Sequence, residues 1–153
     1  MKKQFVCCNS PVGRIYIAES GGAICELRMR PVENAVEEPS PLLESAIAQL
    51  KEYFDGYRRE FDLPLCPEGT EFQRRAWNAL CAIPYGETRS YKDQAIAIGN
   101  ARACRAVGAA NGRNPISIFI PCHRVIGSNG ALTGYAGGTG TKMALLELER
   151  KYR

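Results

Sequence analysis

The spacing of apolar and polar positions changes period along the chain. Arg14-Ile15-Tyr16-Ile17-Ala18 alternates, Glu19-Ser20-Gly21-Gly22 is turn chemistry, and Ala23-Ile24-Cys25-Glu26-Leu27 resumes the alternation. Two short period-two runs across a glycine turn predict a hairpin, and residues 1–30 read as β structure. From Ser40 the period lengthens. Leu43, Ile47, Leu50 and Phe54 recur at helical spacing, with Ser40 placed to cap the helix, Pro41 as its first residue and Gly56 as its stop. Residues 57–68 contain Pro64 and Pro67 and read as a linker.

Beyond the linker the signals are helical. Thr70 and Gln73 form a capping box before Phe72, Ala76, Trp77 and Leu80, which predicts a helix to about residue 83, broken by Pro84-Tyr85-Gly86. Ser90 and Asp93 repeat the box and start a short helix over residues 91–98, stopped by Gly99-Asn100. A second helix over residues 101–110 follows at once. Two short helices on a tight glycine-containing turn fit a helix-turn-helix, and a plain αα-hairpin has the same spacing. The second helix is nearly bare, with Ala101, Ala103, Ala106, Gly108, Ala109 and Ala110, and its long side chains are Arg102 and Arg105. Such a helix can press against a nucleic-acid groove. It can also be an Ala-rich core helix whose arginines reach out to water. An apolar strand over residues 116–120 then leads into Pro121-Cys122-His123-Arg124-Val125.

Length and composition narrow the class. The 153 residues, 45% hydrophobic and 24% charged, fit one ordinary domain or two small ones and rule out a disordered, collagen-like or coiled-coil chain. No apolar run approaches the ~18 residues of a membrane helix, and the basic start lacks the apolar stretch of a signal peptide. The expected location is therefore the cytoplasm, with no membrane partner. Seven cysteines, an odd number with no C-x-x-C pair, argue against a disulfide framework in a chain of that location. A single histidine argues against zinc. Charge is divided unevenly: residues 1–65 hold 8 Lys and Arg against 10 Asp and Glu, whereas residues 66–153 hold 12 against 6. A basic half is the electrostatic footprint that a polyanion partner needs, and with the bare helix it favours DNA.

The candidate chemistry centres on Cys122 and His123. A thiolate needs a proton acceptor or a positive neighbour, and imidazole supplies one near neutral pH. Adjacent residues on a regular strand point to opposite faces, so direct contact between the two requires a bend or an intervening water. A buried cysteine beside a hydrogen-bonded histidine gives the same dipeptide.

Pro121-Cys122-His123-Arg124-Val125 resembles the active-site signature of the O6-alkylguanine-DNA alkyltransferases, the methylated-DNA–protein-cysteine methyltransferases. The resemblance runs from Phe72 through Pro84-Tyr85-Gly86-Glu87-Thr88, Ser90-Tyr91, Ala106-Val107-Gly108 and Gly112-Arg113-Asn114-Pro115 to Gly134-Tyr135-Ala136-Gly137-Gly138 and the stretch 142–149. Ser10-Pro11-Val12-Gly13 before a hairpin is similar to the family's first domain. This implies an α+β chain of two domains: a small ribonuclease-H-like sheet-plus-helix domain over residues 1–65, and a mostly helical, winged helix-turn-helix-like domain over residues 66–153 that binds DNA and carries the alkyltransferase.

The resemblance also implies a single-turnover reaction. An O6-methylguanine, and by extension an O4-methylthymine, is rotated out of double-stranded DNA, and Cys122 takes the alkyl group irreversibly. His123 takes the thiol proton through a water, Glu149 orients His123, Asn114 braces the active-site turn and Tyr91 donates toward the leaving base. Arg105 enters the stack where the base was, Arg102 contacts phosphate, carbonyls of Cys122 and Val125 read the guanine amino group, and Tyr135 with Ala136 closes the pocket. No cofactor and no metal are implied, and the expected state is a monomer in solution. Some relatives hold a zinc in the first domain with histidines that this chain lacks. Others replace the reactive cysteine and only flag lesions for other pathways; a non-catalytic lesion binder is the alternative that Cys122 argues against.

Overall fold

A computed structural model of the chain describes residues 2–131 and 138–153. The chain divides into two compact units, Met1–Glu68 and Gly69–Arg153, a sheet-and-helix unit and a mostly helical one, which is the expected fold class.

In the first unit, β1 (Lys3–Ser10) and β2 (Gly13–Ser20) are antiparallel across Pro11-Val12. Ser10 closes that turn: its Oγ accepts from Val12 N at 3.2 Å and donates to Gly13 O at 2.6 Å. β3 (Ala23–Arg28) pairs with β2 across Gly21-Gly22, both with positive φ, the turn whose twist matches paired strands. A two-residue strand, β4 (Val36–Glu37), runs parallel to β1, giving the order β3-β2-β1-β4. Ser40 caps α1 (Pro41–Phe54), accepting from Leu43 N at 3.1 Å. Ile15, Ile17, Ile24 and Leu27 of the sheet and Leu43, Ala46, Leu50 and Tyr53 of α1 form the core. Ile47 and Phe54, which periodicity puts on the inner face, flank that core half-buried. The stretch read as a linker is not free. Ile24 N donates to Pro64 O and Cys66 N to Ile24 O, each at 2.8 Å. Gln49 holds Asp62 through its backbone N (2.8 Å) and O (3.1 Å).

In the second unit, α2 (Glu71–Cys81) and α3 (Tyr91–Ala97) start with complete capping boxes, at Thr70/Gln73 and Ser90/Asp93. The turn after α3 uses Gly99 at φ +83. The next helix, α4 (Cys104–Gly112), begins three residues later than its alanines suggest. Asn100 is the reason: its side chain accepts from Arg102 N (3.2 Å) and its carbonyl from Ala103 N (3.0 Å), using the first residues in a side-chain turn. Arg102 therefore lies in the turn, and Arg105 in the first turn of α4. The buried amides of Gln94 and Asn111 bond each other reciprocally at 2.9 and 2.7 Å, and Trp77 Nε1 donates to Ala110 O at 2.8 Å, tying α2, α3 and α4 together. Residues 116–120 are not a strand. Ile118 sits at φ +71 in a tight reversal in which Phe119 N donates to Ser117 O and Ile120 N to Ile116 O. A 3₁₀ turn, Cys122–Arg124, follows and feeds β6 (Val125–Ile126), which pairs in parallel with β5 (Arg89–Ser90). The chain ends in α5 (Thr139–Lys151), for which the pattern of residues gives no capping signal. No helix among the described residues is long and apolar enough to cross a membrane.

Candidate active site

Three backbone features bring the reactive groups together. Pro121 adopts φ −81, ψ 63, an inverse γ-turn closed by Cys122 N donating to Ile120 O at 2.8 Å. The 3₁₀ turn then breaks strand alternation, so Cys122 and His123 need not face opposite ways. α5 supplies Lys142, Leu145 and Glu149 from one buried face.

Asn114 braces the turn. Its Nδ2 donates to Ile120 O (2.9 Å) and to Cys122 Sγ (3.2 Å), and its Oδ1 accepts from Ile116 N (3.0 Å). Cys122 is 4% exposed. Burial pushes its thiol up to about 11, against the pull of the Asn114 amide and the Lys142 ammonium. Lys142 is itself buried, and burial lowers its pKa while the sulfur opposes that shift. Its Nζ lies 5.9 Å from the Tyr91 ring centroid.

His123 is fully buried, with Nε2 2.7 Å from Glu149 Oε2. Burial lowers the pKa of the imidazole more than Glu149 raises it. Burial alone would raise the Glu149 carboxyl, but His123 and Arg124 outweigh it and hold the group well below the carboxylate range. An ionised carboxylate only accepts, so the neutral ring carries its proton on Nε2 and leaves Nδ1 as the acceptor. Nδ1 has no hydrogen-bond partner among the described residues.

Glu149 is the hub. Besides His123 it accepts from Arg124 Nε (2.9 Å), from the second terminal nitrogen of Arg124 (3.1 Å) and from Gly86 N (3.1 Å). Arg124 also donates to Ile83 O at 2.7 Å and lies over the Tyr85 ring. The Pro84-Tyr85-Gly86 break is thus one wall of the site. Gly86 has φ +78, and a Cβ there would meet the Arg153 side chain at 3.0 Å.

The structure therefore brings together Cys122, His123, Asn114 and Glu149, with Tyr91 beside Lys142 and against α4, where a Cβ on Gly108 would touch its ring at 3.7 Å. Val125 is buried in β6, and its N–H donates to Cys122 O, one of the two carbonyls expected to read guanine. Tyr135 and Ala136 lie outside the described residues. Arg105 is exposed on α4 in a stripe with Ala106, Ala109 and Arg113, flanked by exposed Arg102. Lys142 and Gly86 have no role in the reading of the sequence. For Lys142 there was a signal: Lys142, Leu145 and Glu149 recur at helical spacing, which puts the lysine on the buried face. Among the described residues no group of three or more His, Cys, Asp and Glu side chains could hold a metal ion.

The chain is similar to known proteins over most of its length. Residues 71–151 match the family described as 6-O-methylguanine DNA methyltransferase, DNA binding domain, and residues 4–67 match its ribonuclease-like domain. The methylated-DNA–protein-cysteine methyltransferase of Methanosarcina barkeri is 51% identical over 147 residues, covering 92% of this chain and 93% of that one. The constitutive enzyme of that name from Bacillus subtilis is 47% identical over 156 residues, covering 95% and 94%. A crystal structure of Mycobacterium tuberculosis OGT in complex with DNA superposes with a TM-score of 0.92 at 47% identity, over 97% of this chain and 94% of that one. With matches to both domain families and relatives of this identity over nearly its whole length, the chain belongs to the O6-methylguanine DNA methyltransferase family.

Proposed function

We propose that this protein repairs double-stranded DNA by taking the alkyl group of an O6-alkylguanine onto Cys122, once per molecule and without a cofactor. The observation that carries the reading is the 2.7 Å His123–Glu149 pair, which leaves Nδ1 of a neutral imidazole as proton acceptor one residue from a buried thiol braced by Asn114. The thiol proton passes to His123 through a water, and the resulting imidazolium is stabilised by Glu149. The sulfur attacks the alkyl carbon, the carbon–O6 bond breaks, and the electron pair leaves on guanine. Tyr91 donates toward that anion as it forms. Lys142 favours the thiolate by charge alone. A thioether is stable to water, so no second turnover follows.

Access to O6 in a duplex requires the base to leave the stack, which takes a few kcal/mol. Arg105, exposed in the first turn of α4, is the side chain assigned to fill the gap, with Arg102 on a neighbouring phosphate. The charge pattern supports this face. No Asp or Glu occurs between Asp93 and Glu147, a span that includes α4 and the active-site turn. The Cys122 and Val125 carbonyls hold the guanine amino group, and Tyr135 with Ala136 closes over O6. The protein acts as a monomer on one lesion.

The test is mass spectrometry of the intact protein and its peptides after mixing with a duplex containing one O6-methylguanine. One methyl group on the Cys122 peptide, saturating at one per protein, is expected. Tight lesion binding with no mass change would overturn the transferase reading in favour of a lesion-binding protein.

A further inference from the structure

The first unit contains two cysteines, Cys25 and Cys66, that backbone hydrogen bonding brings to adjacent strands. After α1 the chain returns along β3 so that Ile24 N donates to Pro64 O and Cys66 N to Ile24 O. These bonds make Ile24 and Leu65 partners in a parallel bridge. In that register the next residues, Cys25 and Cys66, are neighbours across strands that lie about 4.8 Å apart. Both face away from the core. Ile24 and Leu27 are fully buried, whereas Cys25 and Glu26 lie together on the outer side because a bulge opposite Ala18 and Glu19 inserts one residue there. Cys25 is half-buried and Cys66 is exposed, and both are free thiols. The Cys25 Sγ donates to Ala18 O at 3.6 Å on the β2 side, so closing the pair takes a χ1 rotation of Cys25 toward Cys66. Burial raises the Cys25 thiol, with Glu68, two residues beyond Cys66, a smaller contribution in the same direction. A disulfide needs Cα atoms roughly 4.4–6.8 Å apart and side chains on the same side. Gln49, by clamping Asp62, holds the returning segment in place.

We propose that Cys25 and Cys66 form a redox-active pair that closes to an intramolecular disulfide under a small-molecule disulfide oxidant and fastens the returning segment to β3. The exposed Cys66 thiolate attacks one sulfur of the oxidant, forming a mixed disulfide and expelling one small thiolate. Cys25 then gives its proton to solvent and attacks Cys66 Sγ, expelling the second small thiolate. Two protein thiols are oxidised and the oxidant is reduced to two thiols. Cys122 is spared because it is buried, so the outer pair reacts while the alkyl acceptor stays reduced.

The test uses the full chain and oxidised glutathione, followed by alkylation of remaining thiols and peptide mapping. The expected product is a cross-link between the Cys25 and Cys66 peptides, a protein lighter by two hydrogens, full reversal by dithiothreitol, and Cys122 still alkylatable after unfolding. Cleavage by protease within residues 57–65 should slow in the oxidised form, and Cys66→Ser should abolish both cross-link and protection. A stable glutathione adduct on Cys66 with Cys25 left free would overturn the pairing. So would a cross-link from Cys66 to any other cysteine, or oxidation of Cys122 ahead of the pair.

Discussion

Replacing Glu149 with glutamine is the most informative single change, because shape is kept while the hub of the site loses its charge. Both carboxylate oxygens act only as acceptors: one takes Gly86 N and Arg124 Nε, the other His123 Nε2 and the second terminal nitrogen of Arg124. Glutamine must place its NH₂ group on one side. On the Gly86 side it meets two fixed donors. On the His123 side one neighbour can adapt, because imidazole can move its proton to Nδ1 and accept at Nε2. That placement is the less costly one, and it removes the base. Loss of a general base slows reactions roughly 10²–10⁴-fold. Stability falls too, because the buried Arg124 cation loses its counter-charge, at about 3–5 kcal/mol out of a total of roughly 5–15 kcal/mol.

Urea unfolding followed by circular dichroism measures the second effect. Single-turnover methylation of the Cys122 peptide measures the first at temperatures where the variant is folded. A second substitution separates them. Arg124→Met in the Glu149→Gln background removes the unmatched cation and should recover part of the lost stability, though Ile83 O loses its donor. It should recover none of the rate, since His123 still carries its proton on Nδ1. A Glu149→Gln protein that unfolds within about 1 kcal/mol of the parent and methylates at the parental rate would refute both the charge accounting and the tautomer argument.

Three further outcomes follow from the same geometry. Cys122→Ala should accept no methyl group by intact mass while keeping its affinity for a lesion duplex in fluorescence anisotropy, since the thiol is a nucleophile and not an anchor. Arg105→Ala should slow transfer from duplex DNA far more than from free O6-benzylguanine, because only the duplex requires flipping; equal slowing on both substrates would remove Arg105 from that role. Alkaline stability should differ between parent and Cys122→Ala. A thiol raised from 9.0 to about 11 contributes stability that is complete below the unfolded value and is lost as pH rises through the folded one, on the order of 3 kcal/mol across that window. Parallel unfolding curves from pH 8 to 11 would contradict it.

Local chemistry was legible wherever a side chain bonds its own neighbourhood. Ser40, the Thr70/Gln73 box and the Ser90/Asp93 box each act within three residues, and the helix starts they mark are where the structure has them. Composition misled where tertiary contacts decide. Ile-Ser-Ile-Phe-Ile has the residues of a strand, yet Ile118 is held at φ +71, which a β-branched side chain disfavours. Nothing local predicts that reversal; Asn114, bonded at once to Ile116, Ile120 and Cys122, imposes it from outside the segment. The pattern starts the helix carrying Arg105 three residues too early, because alanine propensity hides the turn made by Asn100. α5 went unread because Gly138 offers no side-chain cap. The partnership of His123 with Glu149 spans 26 positions and came from family resemblance, which no periodicity argument could replace. Arg124 carried no signal of its bidentate role, since that depends on a helix 25 residues away.

The electrostatics of the resting site fit a group that is used once. With its thiol pushed up to about 11 by burial, Cys122 rests as the neutral thiol at pH 7, and burial holds its neighbour His123 neutral. A turnover enzyme would lose rate by keeping its nucleophile so inert. A stoichiometric acceptor gains, because oxidants and stray electrophiles consume thiolates and each such reaction ends one molecule's useful life. The reactive ion pair therefore belongs to the complex with the lesion. On the proposed mechanism a base lodged in the site would exclude water, the charge of Lys142 would act through a lower dielectric, and the ionised Glu149 would receive an imidazolium. The exposed Cys66 has the opposite environment, which is why oxidation should reach the outer pair first and leave the buried sulfur for its single reaction.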